Sequence, residues 1–140
     1  MKRALTDHTT WPRPDFDTNP CAYSEYTDEF GAWWEDMTLA EQESIAASVG
    51  MLEAKGPQLG FPHTSGINGS RHDHLRELRV QHEGRPYRIL YAFDPRCSAI
   101  LLIGGDKTGD KLWYDVHVTI ADRLYDAHLE TLRKEGQSDG

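Results

Sequence analysis

Two neighbouring stretches of the chain alternate side chains with a period of two. Arg76, Leu78 and Val80 alternate with Glu77 and Arg79, and Tyr87, Ile89, Tyr91 and Phe93 alternate with Arg88, Leu90 and Ala92. This pattern predicts two half-buried strands, and His82-Glu-Gly-Arg85 between them suits a hairpin turn. Asp94-Pro-Arg-Cys97 then turns the chain into Ser98–Ile103. The unbroken apolar character of that segment predicts a central strand covered on both faces, ended by Gly104-Gly105.

Helical spacing lies on either side. A short strand is expected from Cys21 to Thr27, and Thr27 or Asp28 then caps a helix containing Glu29-Phe-Gly-Ala-Trp-Trp34. Trp33-Trp34 reads as a core anchor beside a surface neighbour. Thr38-Leu-Ala-Glu41 has the capping-box pattern and opens a second helix. Its Leu39, Ile45, Ala46, Val49 and Leu52 share roughly one face, and Gly56-Pro57 stops it. The Gly-, Ser-, Pro- and Asn-rich stretch Gln58–Arg71 is expected to be irregular. From about Thr119 to Lys134, the spacing of Ile120, Leu124, His128 and Leu132 predicts a last helix. The resulting order, β-α-α-β-β-β-α, implies a small α+β domain with helices packed on one face of a mostly antiparallel sheet.

A chain of 140 residues is one domain by size. That domain is placed at 21–135, between a mobile extension over 1–20 that holds Pro12, Pro14 and Pro20 and a flexible tail over 136–140. The longest apolar run, Ala99 to Ile103, is far too short to span a membrane. Met-Lys-Arg-Ala-Leu-Thr-Asp has no apolar stretch behind it, so no signal peptide is expected. Cys21 and Cys97 lack metal-type spacing and read as free thiols in a reducing compartment, which makes the cytoplasm the expected location.

Charge is distributed unevenly. The chain carries a net −8, yet residues 59–114 hold eight Lys/Arg against six Asp/Glu: Arg71, Arg76, Arg79, Arg85, Arg88, Arg96, Lys107 and Lys111. Binding nucleic acid by bulk charge is thereby excluded, whereas a few guanidinium groups gathered at one site for phosphate chemistry are compatible with it. Paired through the 82–85 turn, Arg79 and Arg88 fall near one another on a single face. Two such groups repel unless an anion joins them; a phosphate would serve, and so would Glu77 on the same face. Gly104-Gly-Asp-Lys-Thr-Gly109 offers backbone amides that can surround an anion or simply turn the chain, and Trp113-Tyr114 can stack on a base or close the core. His72-Asp-His74 and His82 lack a third ligand of suitable spacing, so no metal is expected. His63 is a conceivable general base without specific support. No Ser or Cys nucleophile has a recognisable partner.

Taken together, Leu75-Arg-Glu-Leu-Arg79, Tyr87-Arg-Ile-Leu-Tyr-Ala-Phe93, Ala99-Ile-Leu-Leu-Ile-Gly-Gly-Asp-Lys-Thr108, Trp113-Tyr114 and the 121–129 helix motif resemble the RelE/ParE/HigB superfamily. These are toxins of type II toxin–antitoxin systems, and the likeness is strongest to the HigB-like, phage-derived branch. The resemblance covers roughly 22–135 and implies a RelE-like domain with two N-terminal helices packed on the sheet. It implies a metal- and cofactor-independent endoribonuclease that cuts mRNA on the ribosome, held inactive by a cognate antitoxin, a small helix-turn-helix protein. The superfamily equally contains ParE-like, non-catalytic gyrase inhibitors, and an inactive phage-derived binding module is a third possibility.

Carried over by position, the strand arginine of the family falls on Arg88, and the basic positions of the preceding strand fall on Arg79 and Arg76. The basic residue after the third strand falls on Lys107, the aromatic on Trp113 or Tyr114, and the acidic loop residue on Asp106. The resemblance thus implies Arg79, Arg88 and Lys107 as charge-stabilising groups, with Tyr114 or Asp106 carrying protons. Arg76, Arg85, Lys111 and Trp113 are the expected substrate contacts.

Overall fold

The computed structural model describes residues 23–72 and 75–139. The proposed extension over 1–20, Cys21, Asp73 and His74 lie outside the described residues. Thr27 caps the first helix: its hydroxyl accepts a hydrogen bond from Phe30 N at 3.0 Å. Thr38 and Glu41 form the complete reciprocal box, with 3.2 Å from Glu41 N to Thr38 Oγ1 and 2.7 Å from Thr38 N to Glu41 Oε1. The chain therefore enters β1 (Ser24–Tyr26), then α1 (Asp28–Glu35) and α2 (Leu39–Lys55). Gly56, at φ 61°, ends α2, because the left-handed region is cheap for glycine.

Three further strands follow: β3 (Arg76–His82) and β4 (Arg85–Phe93) stand as expected, while β5 (Ala99–Asp106) runs on through Gly104-Gly105, the pair expected to end it. The β3–β4 turn is a two-residue one in which Glu83 (φ 50°) and Gly84 (φ 80°) both take positive φ, the conformation that matches the twist of paired strands. Two further elements differ from expectation. A three-residue strand, β2 (Thr64–Gly66), lies inside the segment read as irregular and pairs antiparallel with β3. The last helix, α3, runs from Trp113 to Asp139, starting six residues earlier than its spacing predicted. The five strands are ordered β1-β5-β4-β3-β2, with β1 parallel to β5 and the other pairs antiparallel.

The sheet is covered on both faces. Phe30, Ile45, Val49 and Leu52 of α1 and α2 pack on Leu78, Val80, Tyr87, Ile89, Tyr91 and Leu101. On the other face, Val118, Ala121 and Tyr125 of α3 pack on Leu90, Ala92, Ile100 and Leu102. Each fully buried aliphatic or aromatic side chain here contributes about 1.5–3 kcal/mol. The expectation that all helices share one face is corrected: Leu90, Ala92, Ile100 and Leu102 form a second apolar surface that needs a cover of its own, and α3 supplies it.

A bulge in β5 sets which face each later residue of that strand takes. Leu90 pairs with Ile103 but Tyr91 pairs with Leu101, so Leu102 is an extra residue on β5. Leu102 and Ile103 consequently both pack towards α3. Beyond the bulge the alternation is inverted, which puts Gly104 against Trp33 on the α1–α2 side and Gly105 against Trp113 on the α3 side.

The free-thiol expectation is also corrected, because Cys97 is disulfide-bonded. β1 runs parallel beside β5 from the Ser24–Ala99 pair onward, so the entrances to both strands lie side by side. Spacing along the sequence does not reveal that proximity. Among the described residues, no helix is long and apolar enough to cross a membrane.

Candidate functional site

Arg79 and Arg88 are direct cross-strand partners on the α3 face of the sheet. The anion between them is a carboxylate of the protein itself. Glu77 Oε2 lies 3.1 Å from Arg79 Nη1, and Glu77 Oε1 lies 3.6 Å from Arg88 Nε. Two hydroxyls complete the arrangement: Ser65 Oγ donates to Oε2 and Tyr114 OH donates to Oε1, each at 2.5 Å. Glu77 and Arg88 are both only 6% exposed at the side chain, whereas Arg79 is 33% exposed. The charge-neutralising role open to Glu77 from its position is realised, in a buried ion pair. A carboxylate this deep in the fold is tolerable because two cations and two hydroxyl donors meet it.

Four elements build the cluster: β2 brings Ser65, β3 brings Glu77 and Arg79, β4 brings Arg88, and the first turn of α3 brings Tyr114. Lys107, just beyond β5, joins from above, its Nζ 5.8 Å from the centre of the Tyr114 ring. Burial raises the Tyr114 pKa above 10, and its hydrogen bond to Glu77 and the charge of that carboxylate add to the effect, partly offset by Arg88. Tyr114 therefore keeps its proton at neutral pH. Arg88 is further fixed by donating from Nη1 to the carbonyl of Tyr87 at 2.9 Å. Its buried Nε has no hydrogen-bond partner, being beyond hydrogen-bond range of Glu77.

The family is shown by comparison with known sequences. The family model described as "Phage derived protein Gp49-like (DUF891)" matches residues 32–126, which include every member of this cluster. The chain belongs to the phage-derived, Gp49-like family. It is 38% identical over 104 residues to "Putative toxin HigB2" of Mycobacterium tuberculosis, across 73% of this chain and 52% of that protein. It is 41% identical over 92 residues to "Putative toxin HigB3" of the same organism, across 65% of this chain and 79% of that protein. The chain spans about half the length of the first of these relatives. They place this Gp49-like protein in the HigB-like, phage-derived branch. No solved structure matches it.

Not all of the expected site residues of this Gp49-like chain come together. Arg79, Arg88, Tyr114 and Lys107 do. Asp106 is on the opposite face: it pairs in register with Tyr87, and its Oδ2 lies 3.9 Å from Arg85 Nη1. The bulge is the reason, since continuing the alternation from Ile100 and Leu102 would carry position 106 to the α3 side. Arg85 belongs to that second face too, with Nη2 3.1 Å from Glu41. The Tyr87 hydroxyl, bonded to the same carboxylate, lowers the Glu41 pKa from 4.5 to about 2, helped by the amide of Thr38. Arg76 alternates with Arg79 and lies beside Gly66, near the sheet edge. Lys111 is exposed in the turn before α3.

Trp113 is 2% exposed and closes the core. The Gly104-Gly105 pair is explained by packing, because a Cβ at Gly104 would lie 2.4 Å from Trp33 Cζ3 and one at Gly105 would lie 2.7 Å from Trp113 Nε1. The amides after it are already engaged. Lys107 N donates to Pro86 O at 3.1 Å, Thr108 N to Asp106 Oδ1 at 2.9 Å, and Asp110 N to Lys107 O at 3.1 Å. The loop is a packed turn, not an anion cradle.

Sequence reasoning missed Ser65, because β2 is too short to show a period. The central position of Glu77 had one available signal: it is the acidic residue between two basic ones on β3.

Proposed function

We propose that this protein is the toxin of a type II toxin–antitoxin pair and inhibits translation by cutting mRNA on the ribosome, in the cytoplasm. The observation that carries this reading is the convergence of a carboxylate, a protonated phenol and three cations on one face, in a family whose relatives bear toxin names. The set fits phosphodiester cleavage by the RNA's own 2′-hydroxyl. Water takes the 2′-hydroxyl proton as the oxygen attacks phosphorus, because Glu77 is buried with both oxygens already bonded and serves to orient the phenol. Tyr114 gives its proton to the departing 5′-oxygen, leaving a 2′,3′-cyclic phosphate and a 5′-hydroxyl, and the phenolate recovers a proton from water. Arg79 and Lys107 offset the charge that grows on the phosphoryl oxygens, and the buried Arg88 holds Glu77 in place.

An antitoxin, proposed to be a small helix-turn-helix protein, silences the chain by covering this face with an acidic segment. The test is induction of the gene without the antitoxin, followed by mapping of transcript ends, together with cleavage by the purified protein on translating ribosomes. Growth arrest with cut transcripts is the expected result. Arg79→Ala should lower the cleavage rate about 10²–10³-fold in a folded protein. Arrest with intact transcripts removes the endoribonuclease reading, and arrest with failed supercoiling turns it towards gyrase.

A further inference from the structure

Phe61 is 76% exposed, the most exposed large apolar side chain among the described residues. It does not sit on a loose loop. His63 N donates to Gly60 O at 3.0 Å and Thr64 N to the same oxygen at 3.3 Å, closing a tight turn around the ring. Arg79 N donates to His63 O at 2.8 Å, clipping that turn to β3. Leu59, just before the turn, is buried in the core at 6% exposure. The ring is thus held out into solvent by a backbone pinned on both sides. Its outer face is open to a partner from outside.

One face of the ring already has a neighbour. The guanidinium carbon of Arg79 stands 5.6 Å from the ring centre, in cation–π contact. Arg79 is also the most exposed cation paired with Glu77, and the one suited to meet a phosphate. An exposed aromatic face next to a phosphate-binding arginine is the arrangement that seats a nucleotide: the phosphate meets the guanidinium while the neighbouring base stacks on the ring.

We propose that Phe61 is a base-stacking platform, which holds a nucleobase of single-stranded RNA next to the phosphate bound by Arg79. The inference rests on the nuclease reading for the identity of the substrate, but stacking can be measured without cleavage. Every base has a π-face, so the platform is sequence-tolerant; it positions the strand and leaves sequence choice to other contacts.

The experiment is a binding cycle with a short 2′-deoxy single-stranded oligonucleotide, which cannot be cleaved by 2′-hydroxyl attack, and with the same oligonucleotide made abasic at the position next to the bound phosphate. Wild type should bind the intact probe about tenfold or more tightly than the abasic one. Phe61→Ala and Phe61→Leu should bind both alike, and Phe61→Trp should restore the difference. The added indole should be quenched by the intact probe and not by the abasic one. Because Phe61 supports no core contact, the variants should unfold at the wild-type denaturant midpoint. The proposal is overturned if Phe61→Ala discriminates the two probes as wild type does. It is equally overturned if that variant keeps both probe affinities and loses only affinity for the antitoxin, which would make the ring a protein contact. A wild type that shows the binding cycle but cuts no RNA removes the nuclease reading while leaving the platform in place.

Discussion

Replacing Gly104 by alanine tests the packing of the sheet most directly. The added methyl would lie 2.4 Å from Cζ3 and 2.5 Å from Cε3 of Trp33. Carbon atoms in contact sit about 3.5–4.0 Å apart, so the overlap exceeds about 1 Å and the indole must move. It has little room to do so, because it packs edge-on against Phe30 at 5.5 Å and Tyr87 at 6.1 Å between ring centres. Overpacking of this kind costs about 1–3 kcal/mol. Removing a strand glycine returns about 0.5–1 kcal/mol of that by stiffening the unfolded chain. The net expectation is a loss of about 1–2 kcal/mol, or roughly 3–8 °C in Tm for a domain of this size. Urea unfolding should show a lower midpoint at unchanged slope. Trp33→Ala combined with Gly104→Ala should be less destabilised than the two single effects added together, since the smaller side chain leaves space for the methyl. Wild-type stability in Gly104→Ala, or strict additivity in the double variant, would refute the steric account. A loss of RNA binding without a loss of stability would return the glycine pair to anion binding.

Arg88→Ala should destabilise the fold by about 3 kcal/mol in urea unfolding, because it leaves the buried Glu77 short of a cation, while Arg79→Ala, at a side chain one-third exposed, should cost far less. Equal losses from the two would contradict the buried position of Arg88. Tyr114→Phe should retain fold and RNA binding while slowing cleavage, and unchanged cleavage would remove the phenol as proton donor. Thr38→Ala should cost about 1 kcal/mol by deleting the α2 cap, read as a shift in denaturant midpoint. Asp94 should contribute to acid sensitivity. Burial pushes its pKa up, but hydrogen bonds from His128 and Arg96, the guanidinium charge and the amide of Ser98 outweigh this and bring it from 3.8 to about 2. A depressed carboxylate contributes stability above its unfolded pKa and loses it as pH falls through the folded one, so about 2 kcal/mol should disappear between about pH 4 and pH 2. Glu41 titrates in the same window, which makes the difference from Asp94→Asn the quantity to measure. A difference that stays constant from pH 5 to pH 2 would contradict the assignment.

What the sequence by itself determined is local. Capping at Thr27 and Thr38, the Glu83-Gly84 turn and the period-two strands depend on neighbours within a few residues, and all stand where the pattern puts them. The hairpin also determined that Arg79 faces Arg88, since register is fixed by the turn. Tertiary structure decided the rest. The carboxylate between the arginines gathers donors from positions 65 and 114, which no spacing rule connects. The faces of Gly104, Gly105 and Asp106 depend on one extra residue at Leu102, and a bulge there reverses a parity that the apolar run Ile100–Ile103 does not reveal. A continuous apolar strand reads the same in either register, because both of its faces are buried. Only the helices packed on either side of it distinguish them.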